Sequence, residues 1–285
     1  MIKAVALIFG VALCMSCARA GGPGRAALSA GLAGLGGAAA AEPAPLPGGA
    51  PGTYSAAPSL AGIQGASAPV PQAGRTLRVL SFNIREWTRD RDESGEYYWR
   101  KRMEAMRRMI EDVDPDVICL QEVLPPAGSY VPDGYHRVGV GVSHPIYVRV
   151  GLKASRHSFA IFWEACTVSG IRIINVHSRW EREIVERTVR QVNGQLTGRD
   201  IACGDWNTGL RSIESAGLRM QSARTLLGAP ETDTFANFTK SESHGAIDHF
   251  FVNGVTPVSY RMLTDGYGVP RISDHWPILL DVELP

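Results

Sequence analysis

Eight side chains of this 285-residue chain carry oxygen or nitrogen where a reaction can use them: Asn83, Glu122, His177, Asp205, Asn207, Asp248, Asp274 and His275. Most of them stand at the ends of apolar runs. Asn83 closes Leu77 to Phe82, Glu122 follows Val117 to Gln121, His177 follows Ile171 to Val176, and Asp205 follows Ile201 to Gly204. A carboxylate in such a place is costly unless it is solvated, paired or metal-bound. Asp205 and Asn207 are two positions apart, which in extended chain puts both side chains on one face; an Asx turn has the same letters. Asp248 interrupts the apolar run from Ala246 to Phe251 and needs a partner such as an imidazole. Asp274 and His275 precede a last apolar run, and as neighbours they reach one cleft only if the chain bends. Each position alone also reads as an ordinary turn or a satisfied strand-end residue, so the joint placement carries the signal. If these ends gather at one edge of stacked sheets, amides, carboxylates and two imidazoles meet in one cleft. That donor set suits a hard cation, Mg²⁺ or Mn²⁺.

The elements that would position them are legible from periodicity. Strands are expected over Leu77 to Asn83, Val117 to Leu120, Ile146 to Val150, Ser158 to Val168, Ile171 to Val176, Ile201 to Cys203, Ile247 to Val252 and Ile278 to Val282. Trp99, Met103, Met106, Ile110 and Val113 recur at helical spacing as a core stripe that stops at Asp114-Pro115, and Ile184, Val185, Val189, Val192 and Leu196 mark a second helix. Cys119, Cys166 and Cys203 fall inside strands and read as buried free thiols, with a disulfide as the alternative in an exported protein. Arg85, Arg89 and Arg91, with Trp87, Tyr97 and Tyr98, form either a phosphate-contacting rim or a solvated charged loop with Glu86, Asp90, Asp92 and Glu93.

Residues 1–75 hold four of the 29 basic side chains and one of the 28 acidic ones, so residues 76–285 carry 25 against 27. That balance disfavours a domain that coats nucleic acid, although a local basic groove is compatible with it. Met1-Ile2-Lys3 and the uncharged apolar stretch from Ala4 to Met15 read as an export signal, too short to span a bilayer. Two cleavage readings stand side by side. A lipoprotein-type signal would end so that Cys17 is acylated (1–17), and ordinary cleavage would follow Ala18-Arg19-Ala20 (1–20). In residues 18–75, 39 of 58 side chains are Ala, Gly or Pro, so this segment is expected to be a disordered tether and 76–285 the folded domain. The protein is thus expected to be exported, either anchored to the membrane of the cell envelope through Cys17 or periplasmic or secreted.

The ordered series Ser81-Phe82-Asn83, Gln121-Glu122-Val123, Asn175-Val176-His177, Gly204-Asp205-Trp206-Asn207, Ile247-Asp248-His249 and Ser273-Asp274-His275-Trp276-Pro277 resembles the endonuclease/exonuclease/phosphatase superfamily. The resemblance implies an α+β fold, a four-layer α/β/β/α sandwich with two mainly antiparallel sheets, and divalent-metal-dependent phosphoester hydrolysis. It implies Glu122 as principal metal ligand with Asn83 and Asp274 near the same ion, and Asp205, helped by Asn207, on the attacking water. His275, oriented by Asp248, and His177 would donate to phosphoryl oxygens. The substrate would be a phosphate ester: nucleic acid, a phospholipid headgroup or a small molecule. Two departures bear on substrate: the 55 positions from Glu122 to His177 are fewer than in the pancreatic nuclease type, and Ser178-Arg179-Trp180 and Trp206 replace commoner residues. The competing class is a noncatalytic surface binding protein that keeps the fold. A zinc hydrolase is disfavoured because His177 and His275 lack the close spacing of common zinc motifs.

Overall fold

A computed structural model describes residues 75–124, 130–139, 143–236, 238 and 245–284. The signal segment, Cys17 and nearly all of the tether lie outside the described residues. In chain order the elements are β1 (Thr76–Asn83), α1 (Trp99–Val113), β2 (Val117–Gln121), β3 (Tyr135–Val138), β4 (Ile146–Arg149), β5 (Ala154–Ala160), β6 (Trp163–Val168), β7 (Ile171–His177), α2 (Arg182–Asn193), β8 (Asp200–Asp205), α3 (Leu210–Ser215), β9 (Gln221–Ser222), α4 (Ala223–Leu226), β10 (Asp248–Asn253), β11 (Pro257–Met262) and β12 (Ile278–Glu283).

These strands form two six-stranded sheets, ordered β11-β12-β1-β2-β4-β3 and β5-β6-β7-β8-β10-β9. Each contains one parallel pair, β1 with β2 and β7 with β8, and the other pairs are antiparallel. A parallel pair needs a crossover, and α1 and α2 supply the two crossovers. Alternation along the central strands then makes the layers. On β1, Leu77 and Val79 join the core between the sheets, whereas Leu80 and Phe82 pack with Met106, Met109 and Ile110 of α1. On β7, Ile171 and Ile173 face the other sheet and Ile174 and Val176 meet Val185 and Val189 of α2. The result is the expected α+β sandwich. Cys119, Cys166 and Cys203 are free and buried in the inter-sheet layer, where burial raises the thiol of Cys119 well above its ordinary range and that of Cys166 to about 12. Among the described residues no helix is long and apolar enough to cross a membrane.

The expected single strand from Ser158 to Val168 is instead a hairpin, with Ala160 paired to Trp163 across a turn at Ile161-Phe162. The apolar run Phe159 to Trp163 holds no Gly or Pro to mark that turn, and Ile161 is 66% exposed. Register sets the site. His177 stands opposite Asp205 on the parallel neighbour, and Asp205 opposite Asp248 on the antiparallel one, so three titratable residues share one row across β7, β8 and β10.

Gly204, one residue before Asp205, has φ +135°, and a Cβ there would collide with the Val176 carbonyl of the adjacent strand. Gly204→Ala is therefore expected to destabilise the fold by about 3 kcal/mol, read as a fall in the urea midpoint; an unchanged midpoint would show that β7 and β8 are not this close.

Candidate active site

The first sheet delivers Asn83 at the end of β1 and, one residue past β2, Glu122; the second delivers His177, Asp205 and Asp248. Asp205 is 1% exposed and sits at the centre. Its Oδ2 accepts from Asn83 Nδ2 at 2.9 Å and from Asn207 Nδ2 at 3.1 Å, and its Oδ1 accepts from the Asn207 backbone N–H at 2.8 Å. The Nε2 atoms of His177 and His275 each lie 3.8 Å from the same Oδ2, close enough to act through charge and too far for a hydrogen bond. Asn83 Nδ2 also reaches Glu122 Oε1 at 3.3 Å, so one amide joins the two carboxylates. The sequence-identified Asn83, Glu122, His177, Asp205, Asn207, Asp248 and His275 thus converge.

His275 Nδ1 lies 2.8 Å from Asp248 Oδ2, with both side chains buried. Burial lowers the imidazole's affinity for a proton, but the fields of Asp248 and then Asp205 outweigh it and push His275 up to about 10. Burial raises Asp205 to about 6, against the pull of His275, with Asp248 adding to the rise and His177 opposing it. Asp205, Asp248 and His275 place potential ligand atoms within 4.8 Å of one another. A protonated imidazole, however, offers no lone pair, so this trio is better read as a charge-coupled acid–base group than as a metal cage.

Asp274, which the resemblance places near the ion, is bonded to groups of the protein. Its Oδ2 accepts from Arg85 Nη1 at 2.7 Å and its Oδ1 from Ser273 Oγ at 3.1 Å. Although burial opposes it, His275 and Arg85 hold the carboxyl below its ordinary value. Arg85 also binds Asp90, which pairs in turn with Arg102 at 2.7 Å. Arg102 is 2% exposed, and its Nη1 donates to the carbonyls of Ile84 and Ile272 at 2.8 and 3.0 Å, tying the loop after β1 to the segment that carries Asp274 and His275. Sequence reasoning missed this staple, because the partners are scattered and Arg102 is hidden in a helical stripe. It also placed Arg85 on a rim or solvated loop, whereas the guanidinium is committed inside the site. Arg89 pairs with Glu86, and Arg91 lies over the Trp87 ring.

Arg85, Glu122 and Asn207 adopt positive φ of 52°, 60° and 53° without being glycine. Each bends the chain at a strand end, and such strain concentrates where a site must aim side chains.

The sequence profile of the Endonuclease/Exonuclease/phosphatase family matches residues 80–275. No curated protein sequence matches. Among solved structures, an endonuclease/exonuclease/phosphatase family protein from Bacteroides thetaiotaomicron is 19% identical with a TM-score of 0.60, covering 75% of this chain and 100% of its own. Mannosyl-6-phosphatase from the same species is 19% identical with a TM-score of 0.57, covering 72% and 99%. D. rerio TDP2 complexed with a single-strand DNA product is 18% identical with a TM-score of 0.58, covering 73% and 99%. At these identities the likeness establishes the fold.

Because the Asp248 carboxylate is the largest of the charges that raise His275, Asp248→Asn should move the His275 titration to lower pH. In metal-free protein, nitrogen-resolved imidazole NMR should show His275 protonated through neutral pH in the parent chain and deprotonating earlier in the variant; coincident titrations would break the assigned pair.

Proposed function

Since the chain belongs to the endonuclease/exonuclease/phosphatase family, we propose that it is a divalent-metal-dependent phosphoester hydrolase, a phosphodiesterase or phosphatase, acting in the cell envelope. The observation that carries this reading is the charge arrangement at the strand ends. Asp248 is paired with His275 and Asp274 with Arg85, and Asp205 has two imidazoles at 3.8 Å, whereas Glu122 has no ion-pair partner among the described residues and is joined to Asp205 through the single amide of Asn83. Arg89 feels the charge of Glu122, but its guanidinium is bonded to Glu86. Two carboxylates sharing one neutral donor suit a cation, and their oxygens with the amide oxygen of Asn83 suit Mg²⁺ or Mn²⁺. Glu122 and Asn83 would hold the ion, with Asp274 nearby; once bound, it lowers the pKa of water and offsets phosphate charge.

The chain's own groups supply the rest. Asp205, raised toward neutrality, is matched to accept a proton from the attacking water. Asn207 fixes the orientation of that carboxylate through both its amide and its backbone N–H. His275, with Nδ1 on Asp248, presents Nε2 toward the same space as His177 Nε2, so both can donate to phosphoryl oxygens as charge builds. The fold neighbours span a protein that holds a single-strand DNA product and a mannosyl-6-phosphatase, which keeps both diesters and monoesters in scope. The proposal includes export, from the reading of the N-terminal residues as a signal, either anchored to a membrane through acylated Cys17 or periplasmic or secreted.

With bis-p-nitrophenyl phosphate and p-nitrophenyl phosphate as probes, hydrolysis should require Mg²⁺ or Mn²⁺ and vanish in EDTA. Glu122→Ala should lower kcat at least about 100-fold while circular dichroism stays native. Undiminished turnover in that variant would remove Glu122 from the mechanism, and a parent chain inert toward both esters with every metal would favour a binding protein on the same fold.

A further inference from the structure

Next to the strand-end constellation, a cavity of about 410 Å³ opens between α2 and α3. It begins where the site ends. Asn207 Nδ2 donates to the Ser178 carbonyl at 3.1 Å, joining the segment after β7 to the segment after β8. Thr208, the next residue after Asn207, and Trp180, two after Ser178, both line the cavity. The Thr208 carbonyl is itself held by His249 Nε2 at 3.0 Å, so this wall is anchored to β10.

The lining combines an exposed ring with a charge that no ion pair among the described residues uses. Trp180 is 49% exposed. Arg182 of α2 is bonded to Glu186 at 2.8 Å, but Arg211 of α3 has no ion-pair partner among the described residues. A half-exposed indole is a stacking face, and an uncompensated guanidinium is an anion site. A cavity of this size is in the range of about 300–1,000 Å³ that holds small ligands.

We propose that this cavity binds the organic group esterified to the phosphate, and that the group is a nucleotide whose base stacks on Trp180 and whose further phosphate meets Arg211. The assignment rests on the phosphoester-hydrolase reading above and narrows its substrate. A quaternary-ammonium headgroup would meet the Arg211 charge unfavourably. A simple sugar monophosphate has its one anion already engaged beside Asp205 and His275, leaving Arg211 without a partner. A nucleotide carrying a second phosphate satisfies both the ring and the cation. Trp180 and Arg211 are thus specificity residues, and neither takes part in the chemistry.

The full chain should be assayed with Mg²⁺ on the 5′-p-nitrophenyl ester of thymidine 3′,5′-bisphosphate and on methyl p-nitrophenyl phosphate, which share a leaving group. Trp180→Ala and Arg211→Gln should each raise KM for the nucleoside ester about tenfold and leave methyl p-nitrophenyl phosphate unchanged, with Trp180→Phe retaining most of the affinity. Equal effects on both esters, or none, overturn the proposal. A second readout is independent of turnover: calorimetry with thymidine 3′,5′-bisphosphate should show binding that weakens about tenfold in Trp180→Ala, while phosphocholine does not bind. If neither ester is cleaved but this binding and its loss are seen, the hydrolase reading fails and the cavity assignment stands. Tighter binding of phosphocholine, or bisphosphate binding indifferent to Trp180, overturns the assignment.

Discussion

The structure is organised around the burial of one carboxylate. Asp205 is 1% exposed, and an ionised carboxylate removed from water must find donors or give up its charge. Its donors come from separate places: Asn83 from the first sheet and Asn207 from the turn after β8, with the imidazoles of β7 and the pre-β12 segment close by. Those groups meet only if the two sheets hold a fixed offset. The apolar layer between the sheets is nondirectional and does not set that offset alone. A buried polar bridge does so just beneath the site, where Gln121 Nε2 donates to Asn175 Oδ1 at 2.7 Å and Asn175 Nδ2 donates to the Leu120 and His144 carbonyls at 2.8 and 2.9 Å. Directional bonds of this kind penalise a slip that an apolar contact would tolerate.

Local turn structure and chemistry prove to be the same feature here. Asn83 Oδ1 accepts the N–H of Arg85, and Asp205 Oδ1 accepts the N–H of Asn207, each bond closing a turn two residues long. Glu122 Oε2 likewise accepts the N–H of Glu86. The left-handed backbone at Arg85 and Asn207 is therefore compensated by the functional side chains themselves. An Asx turn and a catalytic role were alternative readings of Asp205 and Asn207; the geometry lets the same atoms serve both.

Legibility in the sequence followed burial. The strands β1, β2, β7, β8, β10 and β12 and the helices α1 and α2 were readable because each buries an apolar face continuous enough to impose its period. The strands β3, β5, β9 and β11 were missed or misjoined, since edge or short strands with half-exposed side chains need no such pattern. Of the site, the groups at strand ends were visible as polar residues interrupting apolar runs. The Arg102–Asp90–Arg85–Asp274 ladder was not, because an ion pair across 189 positions leaves no trace in local spacing. Nor was the positive φ at Glu122, a residue type with no preference for it.

That ladder and the Asp248–His275 pair also determine where a cation has a reason to bind. Of the acidic groups at this edge, Asp274 has Arg85 within 2.7 Å and Asp248 has His275 within 2.8 Å, so each is already neutralised by the protein. A metal ion placed between Asp205, Asp248 and His275 would have to expel a proton that two carboxylates hold there. Placed at Glu122 and Asn83, it would instead set a positive charge beside Asp205, whose carboxyl burial raises, at no cost to either pair. That charge would lower the pKa of Asp205 and leave it ionised near neutral pH. On this account the cation and the base are coupled: filling one site readies the other.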